Sequence, residues 1–189
     1  EEIYTVDGVQ ALKDSRRINR EWDYGEYNSH AVWIDAPKSA NDKNNDRRHV
    51  KEVKIIIDEI TKFLKFTKRE PINEEKEAWN IAVLSFYKPQ ETLLREALRK
   101  LCDQPNTISK FSKGGTEILL YTVDKFQGME ADIVFLSMVR GSSVGFMDNI
   151  NRLNVALTRA KYQRVIVGDK NFFSKQNSSQ ELKRLAENE

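Results

Sequence analysis

Two stretches of this chain place fixed charge and a permissive backbone where a polyphosphate could be met. The first is Thr122-Val123-Asp124-Lys125-Phe126-Gln127-Gly128-Met129-Glu130, which leaves one apolar run and re-enters another at 132. Gly128 has no Cβ, so a ligand can approach the backbone closely there, and Glu130 brings a carboxylate to the mouth of the turn. The same spacing also describes a plain strand-to-strand turn in which Gly128 serves only the backbone. The second stretch is Asn151-Arg152-Leu153-Asn154-Val155-Ala156-Leu157-Thr158-Arg159-Ala160-Lys161. Read as one helix, it buries Leu153, Leu157 and Ala160, and it sets Arg152 and Arg159 within ~20° of each other on a neighbouring face. Two guanidinium groups on one face suit a polyphosphate, because each offers fork-like donors and a fixed charge. An ordinary solvated basic face has the same pattern, so spacing alone leaves both alternatives open.

Other chemistries are poorly served. Lys54-Ile55-Ile56-Ile57-Asp58-Glu59 has the form of an apolar strand ending in magnesium-holding carboxylates. No Gly-x-x-x-x-Gly-Lys-Ser/Thr loop accompanies it, and the helical period from Val50 to Leu64 predicts a helix with Asp58 and Glu59 on its solvent side. Ser112-Lys113-Gly114-Gly115-Thr116 has its glycines and lysine in the wrong order and precedes a strand, so Gly114-Gly115 is expected to be a turn. One cysteine, Cys102, excludes an internal disulfide and suits a reducing compartment. With only His30 and His49 besides, no metal site is expected. The carboxylate or histidine clusters that an α/β nuclease or phosphatase needs at strand ends are missing.

The elements that must hold the two stretches follow from periodicity. Ala31–Asp35, Ile81–Phe86, Ile118–Val123, Ile133–Met138 and Arg164–Gly168 are short apolar runs, expected as buried strands. Helices are expected over about 46–66, where Val50, Val53, Ile57, Ile60 and Leu64 recur, and over about 89–102. A third is expected over about 148–160, and a closing one over about 180–186. Continuous apolar strands alternating with amphipathic helices predict an α/β three-layer sandwich with a mainly parallel sheet. In such a sheet, function gathers beyond the carboxyl ends of the strands. Residues 1–29 show no clear period and read as an irregular lead-in or the edge of a neighbouring domain, leaving 30–189 as the main domain. The net charge of +2 neither demands nor excludes nucleic acid, since a groove needs only a local basic stripe. No apolar run approaches the ~20 residues of a membrane helix, and the first residues lack a signal-peptide pattern, so a cytoplasmic setting without membrane contact is expected.

At these residues the sequence resembles a known family. "TVDKFQGMEADIVFLSMVR" followed by "NRLNVALTRAKYQRVIVGD" is similar to motifs V and VI of superfamily 1B helicases, the group containing the nonsense-mediated-decay helicase and its bacterial DNA-helicase relatives. "IAVLSFYKPQETLLREAL" resembles that group's motif IV, with Tyr87 and Gln90 in a Tyr-x-x-Gln element. The resemblance is strong over about 80–175 and extends weakly back to about 30. It implies a second, C-terminal RecA-like domain without its own Walker A loop. ATP with Mg²⁺ would be held mainly by a first RecA-like domain of the same protein, and single-stranded DNA or RNA would be the other partner. It further implies that Arg159 is the catalytic arginine finger and that Gln127, Gly128, Glu130 and Arg152 border the nucleotide. Ser85, Tyr87, Thr122 and Asp124 would face the strand. Translocation would run 5′ to 3′, and the domain by itself would be inactive. The chain departs from the family at Ile150-Asn151-Arg152, where Pro-Arg-Arg is common, and at His49, where asparagine is expected three residues before a glutamate matching Glu52. The competing reading is a non-catalytic nucleic-acid or protein-interaction module derived from such a helicase.

Overall fold

The computed structural model describes residues 2–6, 9–13, 24–27, 29–39, 47–140, 152, 156–175 and 180–188. Eight strands are found among them: β1 (Glu2–Val6), β2 (Val9–Lys13), β3 (Ala31–Asp35), β4 (Asn80–Ser85), β5 (Lys110–Lys113), β6 (Thr116–Thr122), β7 (Ala131–Ser137) and β8 (Ala160–Gly168). The named helices are α1 (Val50–Thr67), α2 (Lys88–Cys102), α3 (Lys170–Ser174) and α4 (Gln180–Asn188), with one 3-10 turn at Val123–Phe126. Six strands form one sheet in the order β3-β8-β7-β4-β6-β5, parallel throughout except for the β5 edge.

The alternation of side chains across this sheet builds two cores. Ile81 and Val83, Ile133 and Phe135, and Val165 and Val167 point to the face covered by α1 and α2. Ala82 and Leu84, Val134 and Leu136, and Ile166 point to the opposite face, with Phe126, Ala156, Phe173, Leu182 and Ala186. Both faces are dry, which is why the strands read as unbroken apolar runs rather than as a polar–apolar alternation. The architecture is the expected α/β RecA-like three-layer sandwich.

Several expectations need correction in detail. The buried stripe of α1 is Val53, Ile56, Ile60, Phe63 and Leu64, while Val50 is exposed. The stripe is therefore rotated by about one residue from the expected phase. Asp58 is on the solvent side, but Glu59 is buried beneath Tyr27, whose hydroxyl donates to its carboxylate, and Lys62 Nζ pairs with it at 2.7 Å. A six-residue apolar stretch cannot by itself say which of its neighbours a tertiary contact will cover.

Gly114-Gly115 is a turn, with φ +60° and +86°, joining β6 to an edge strand, β5, that no apolar run announces. Part of the segment expected to be irregular is ordered: β1 and β2 pair antiparallel with Val6 opposite Val9. Tyr24 packs edge-on against Phe63 and Phe66, so this part of the lead-in lies on α1.

The helix expected over 148–160 falls largely outside the described residues, but its end does not. Ala156 and Leu157 are helical, Thr158 turns, and Ala160 already begins β8, pairing with Ala131. Arg159 therefore lies beyond the helix, and the shared helical face with Arg152 does not exist. The apolar positions at 157 and 160 fit a helical stripe equally well, and pairing with β7 decides between helix and strand.

Candidate functional site

The residues singled out from the sequence fall at opposite ends of the sheet. At the N-terminal ends of the strands, the turn 127–130 delivers the chain into β7, and Arg159 delivers it into β8. These two entries are joined, because the Ala131 N–H donates to the Arg159 carbonyl at 3.0 Å. Gln127, Gly128 and Glu130 are exposed and Arg159 is half-buried. Gly128 has φ +83°, a left-handed conformation open to glycine without steric cost, and a Cβ built there would meet nothing within 4 Å. The glycine is thus required by its backbone, and the space above it is open to a ligand.

Ser85, Tyr87, Thr122 and Asp124 lie at the other end, where β4 and β6 finish. Three of the four are buried: Ser85 fully, Tyr87 and Thr122 nearly so. Ser85 Oγ accepts the Tyr87 N–H at 3.3 Å, which turns the chain from β4 into α2. Pro89, in the first turn of α2, needs no N–H there and helps fix the start. Asp124 is exposed and receives a two-pronged grip from Arg152, Nε at 2.6 Å and Nη2 alongside. The hydrogen bond from Arg152 holds the Asp124 carboxyl below its usual range, and the same bond raises the guanidinium pKa, to which Tyr87 adds through its charge interaction. Arg152 thus works beside Asp124 and Tyr87, at the end of the sheet away from Arg159.

Sequence reasoning passed over Arg140 at this end. Its guanidinium lies 5.1 Å from the centre of the Tyr87 ring, within cation–π range. The available signal was its position, a cation just past the apolar run of β7. Behind it is a fully buried polar node. Glu52 Oε2 accepts from Ser137 Oγ at 2.6 Å, and both carboxylate oxygens accept the Val139 N–H at 2.9 and 3.0 Å. His49 Nδ1 meets Glu52 Oε1 at 2.7 Å, and Gln90 Nε2 reaches Ser137 Oγ and the His49 carbonyl, each at 3.0 Å. The node ties the starts of α1 and α2 to the end of β7. His49 replaces the asparagine expected from the resemblance, and its Nδ1 still meets the glutamate three residues on.

Among the described residues, no three His, Cys, Asp or Glu side chains cluster in a way that could hold a metal ion, and no helix is long and apolar enough to cross a membrane. The groups these two ends offer are guanidiniums, at Arg159 on one and at Arg140 and Arg152 on the other, with the open turn at Gly128.

Comparison with known proteins matches residues 2–171 to the family described as "AAA domain". The Mus musculus protein named "Probable helicase senataxin" is 34% identical over 162 residues, covering 83% of this chain and 5% of that protein. The Mus musculus "5'-3' DNA helicase ZGRF1" is 37% identical over 92 residues, covering 49% of this chain and 5% of that protein. The Drosophila melanogaster "Regulator of nonsense transcripts 1 homolog" is 48% identical over 63 residues, or 32% of this chain and 5% of that protein. The chain thus spans about a twentieth of the length of the curated relatives it matches.

Proposed function

Because the chain belongs to the AAA domain family, as the C-terminal helicase domain of superfamily 1B helicases, we propose that it is the second motor domain of an ATP-dependent helicase or translocase acting on single-stranded nucleic acid. One observation carries the reading further than kinship. Of the residues matching the nucleotide-facing motifs, Gln127, Gly128, Glu130 and Arg159 share the N-terminal end of the sheet, tied by the Ala131–Arg159 hydrogen bond, while Arg152 pairs with Asp124 at the other end. Those matching the strand-facing motifs occupy the opposite end. A motor needs such a separation, because the nucleotide must change the grip on the strand without touching it.

In this reading a first RecA-like domain holds the triphosphate and its Mg²⁺, which neutralises phosphate charge during transfer to water. This chain contributes what that domain lacks. Closure sets the Arg159 guanidinium on the terminal phosphate, where a planar fork of donors stabilises the charge that develops. Gly128 leaves the space above the turn open to a phosphate, and Gln127 and Glu130 border it. Arg152, engaged with Asp124, belongs in this proposal to the strand end rather than to the nucleotide. Movement runs 5′ to 3′, in keeping with the printed name of the mouse relative. We place the protein in the cytoplasm, where the single, buried Cys102 stays reduced.

Arg159→Ala in the full-length protein tests the assignment. Arginine fingers are worth ~10³–10⁵ in turnover, so ATP hydrolysis should fall by orders of magnitude while strand binding and the unfolding temperature hold. Arg159→Lys should also be poor, because an ammonium keeps the charge and loses the fork. Turnover within a few-fold of wild type in Arg159→Ala would remove Arg159 from the reaction.

A further inference from the structure

Val139 has φ +69°, a left-handed backbone conformation that a β-branched side chain resists. Something must hold it there, and the structure supplies a side-chain holder: both oxygens of the Glu52 carboxylate accept its N–H. Glu52 is itself fixed. It is fully buried, and Ser137 Oγ donates to it from the end of β7. His49 Nδ1 also meets Glu52 Oε1 at 2.7 Å, from the N-cap position of α1. The next residue along the chain is Arg140, whose guanidinium rests over the Tyr87 ring, and Arg140 N–H closes a tight turn onto the Met138 carbonyl at 2.8 Å.

We propose that Glu52 is a positioning residue for strand binding: its carboxylate holds Val139 in the left-handed conformation that sets Arg140 on Tyr87 at the strand-facing end of the sheet. Glu52 is sealed in the interior and touches no strand. It acts through the backbone of 139. Without it, Val139 relaxes toward φ < 0, the chain leaves Met138 in another direction, and Arg140 is carried off the ring. The Arg140 guanidinium then no longer stands braced on Tyr87 where it could meet a phosphate. The inference rests on the motor reading only in taking this end of the sheet as the strand side.

The test uses the full-length protein and a labelled polythymidine or polyuridine oligonucleotide, with affinity read by anisotropy in the absence of ATP. Glu52→Ala should weaken binding by roughly tenfold or more, the size of one lost aromatic or cationic contact. Val139→Gly alone should bind like wild type, since glycine takes φ +69° freely. Val139→Gly added to Glu52→Ala should recover affinity to within a few-fold of wild type, which a merely structural role for Glu52 would not produce. If Glu52→Ala yields no folded protein by thermal unfolding, Glu52→Met with and without Val139→Gly makes the same comparison, because methionine keeps the length and gives up both oxygen acceptors of the Val139 N–H. Folded Glu52→Ala that binds as wild type, or a double variant as weak as the single, overturns the proposal. A wild type that binds strand but shows no strand-stimulated ATP turnover overturns the motor reading and leaves this comparison decisive for Glu52. A wild type that binds no strand overturns both.

Discussion

At the scale of single residues, burial decides what a charge is for. Asp124 and Asp132 stand eight positions apart and titrate in opposite directions. Asp124 is exposed and gripped by Arg152, so its pKa is lowered. Asp132 is fully buried at the start of β7, where it accepts the Asn80 N–H at 3.0 Å and meets Asn73 Nδ2 at 3.3 and 3.4 Å. Burial is the largest influence on it and raises its pKa, against the pull of the Asn80 bond, Lys161 and Asn73. A carboxyl raised above its unfolded value of ~3.9 contributes stability that is whole below that pH and is lost as pH climbs through the folded value. Asp132→Asn removes the titration while keeping an acceptor for Asn80. The stability of the variant relative to wild type should therefore rise from about pH 4 toward about pH 7. Urea midpoints across that range check it, and a constant difference would mean that the burial of Asp132 is fully compensated.

Individual elements owe their stability to different sources. The helix α1 has little capping help, since His49 makes no side-chain cap bond, and it is held by the stripe that it buries. Phe63 is fully buried at the centre of a cluster with Tyr24, Phe66 and Trp79, at ring-centre distances of 5.3, 5.6 and 5.6 Å. Phe63→Ala should cost about 3–5 kcal/mol, measured by denaturant unfolding, because a rigid sheet cannot collapse into the space left. The helix α2 ends differently. Asp103 closes it with φ +57°, and its carboxylate stands at the negative end of the helix, with Lys113 Nζ 3.6 Å away as weak compensation. Glycine is the residue this position favours. Asp103→Gly should raise stability by roughly 0.5–1 kcal/mol, a gain of about 1–4 °C in a chain of this size. An unchanged or lower Tm would show that the Lys113 pair outweighs the backbone term.

For the whole molecule, the proposed motor reading makes this chain half of a machine. The sheet presents a guanidinium and an open glycine turn at one end and a guanidinium braced on a buried tyrosine at the other, with no phosphate-binding loop in the sequence. The 189-residue chain alone is therefore expected to show no significant ATP turnover. It should bind single strands weakly and without sequence preference, on the order of 10⁻⁴–10⁻⁶ M at physiological salt and weaker as salt rises. A malachite-green phosphate assay and salt-titrated anisotropy measure the two. Turnover by the pure chain that disappears with Arg159→Ala would mean that the site is complete within it. Tight, salt-indifferent binding to one duplex sequence would point away from a motor.

Sequence alone determined most of the sheet. The runs at 31–35, 81–86, 118–123, 133–138 and 164–168 became β3, β4, β6, β7 and the end of β8, because strands covered on both faces read as nearly unbroken apolar runs. The motif residues were also legible as types, since guanidinium, glycine and carboxylate are chemical facts before any fold exists. What lay beyond reach was partnership. Whether Ala160 is helix or strand depends on Ala131 beside it, and whether Glu59 is solvated depends on a tyrosine 32 positions earlier. The split of Arg152 from Arg159 follows from where a helix stops, which periodicity blurs by several residues. Glu52 shows the limit most clearly. A glutamate in an amphipathic helix reads as surface, and only packing against β7 makes it the buried acceptor for a backbone N–H 87 positions away. Local pattern selects elements, because hydrophobic period is a property of neighbours in the chain, whereas long-range contact assigns the polar groups their work, because a buried charge is meaningful only with the donors that the fold brings to it.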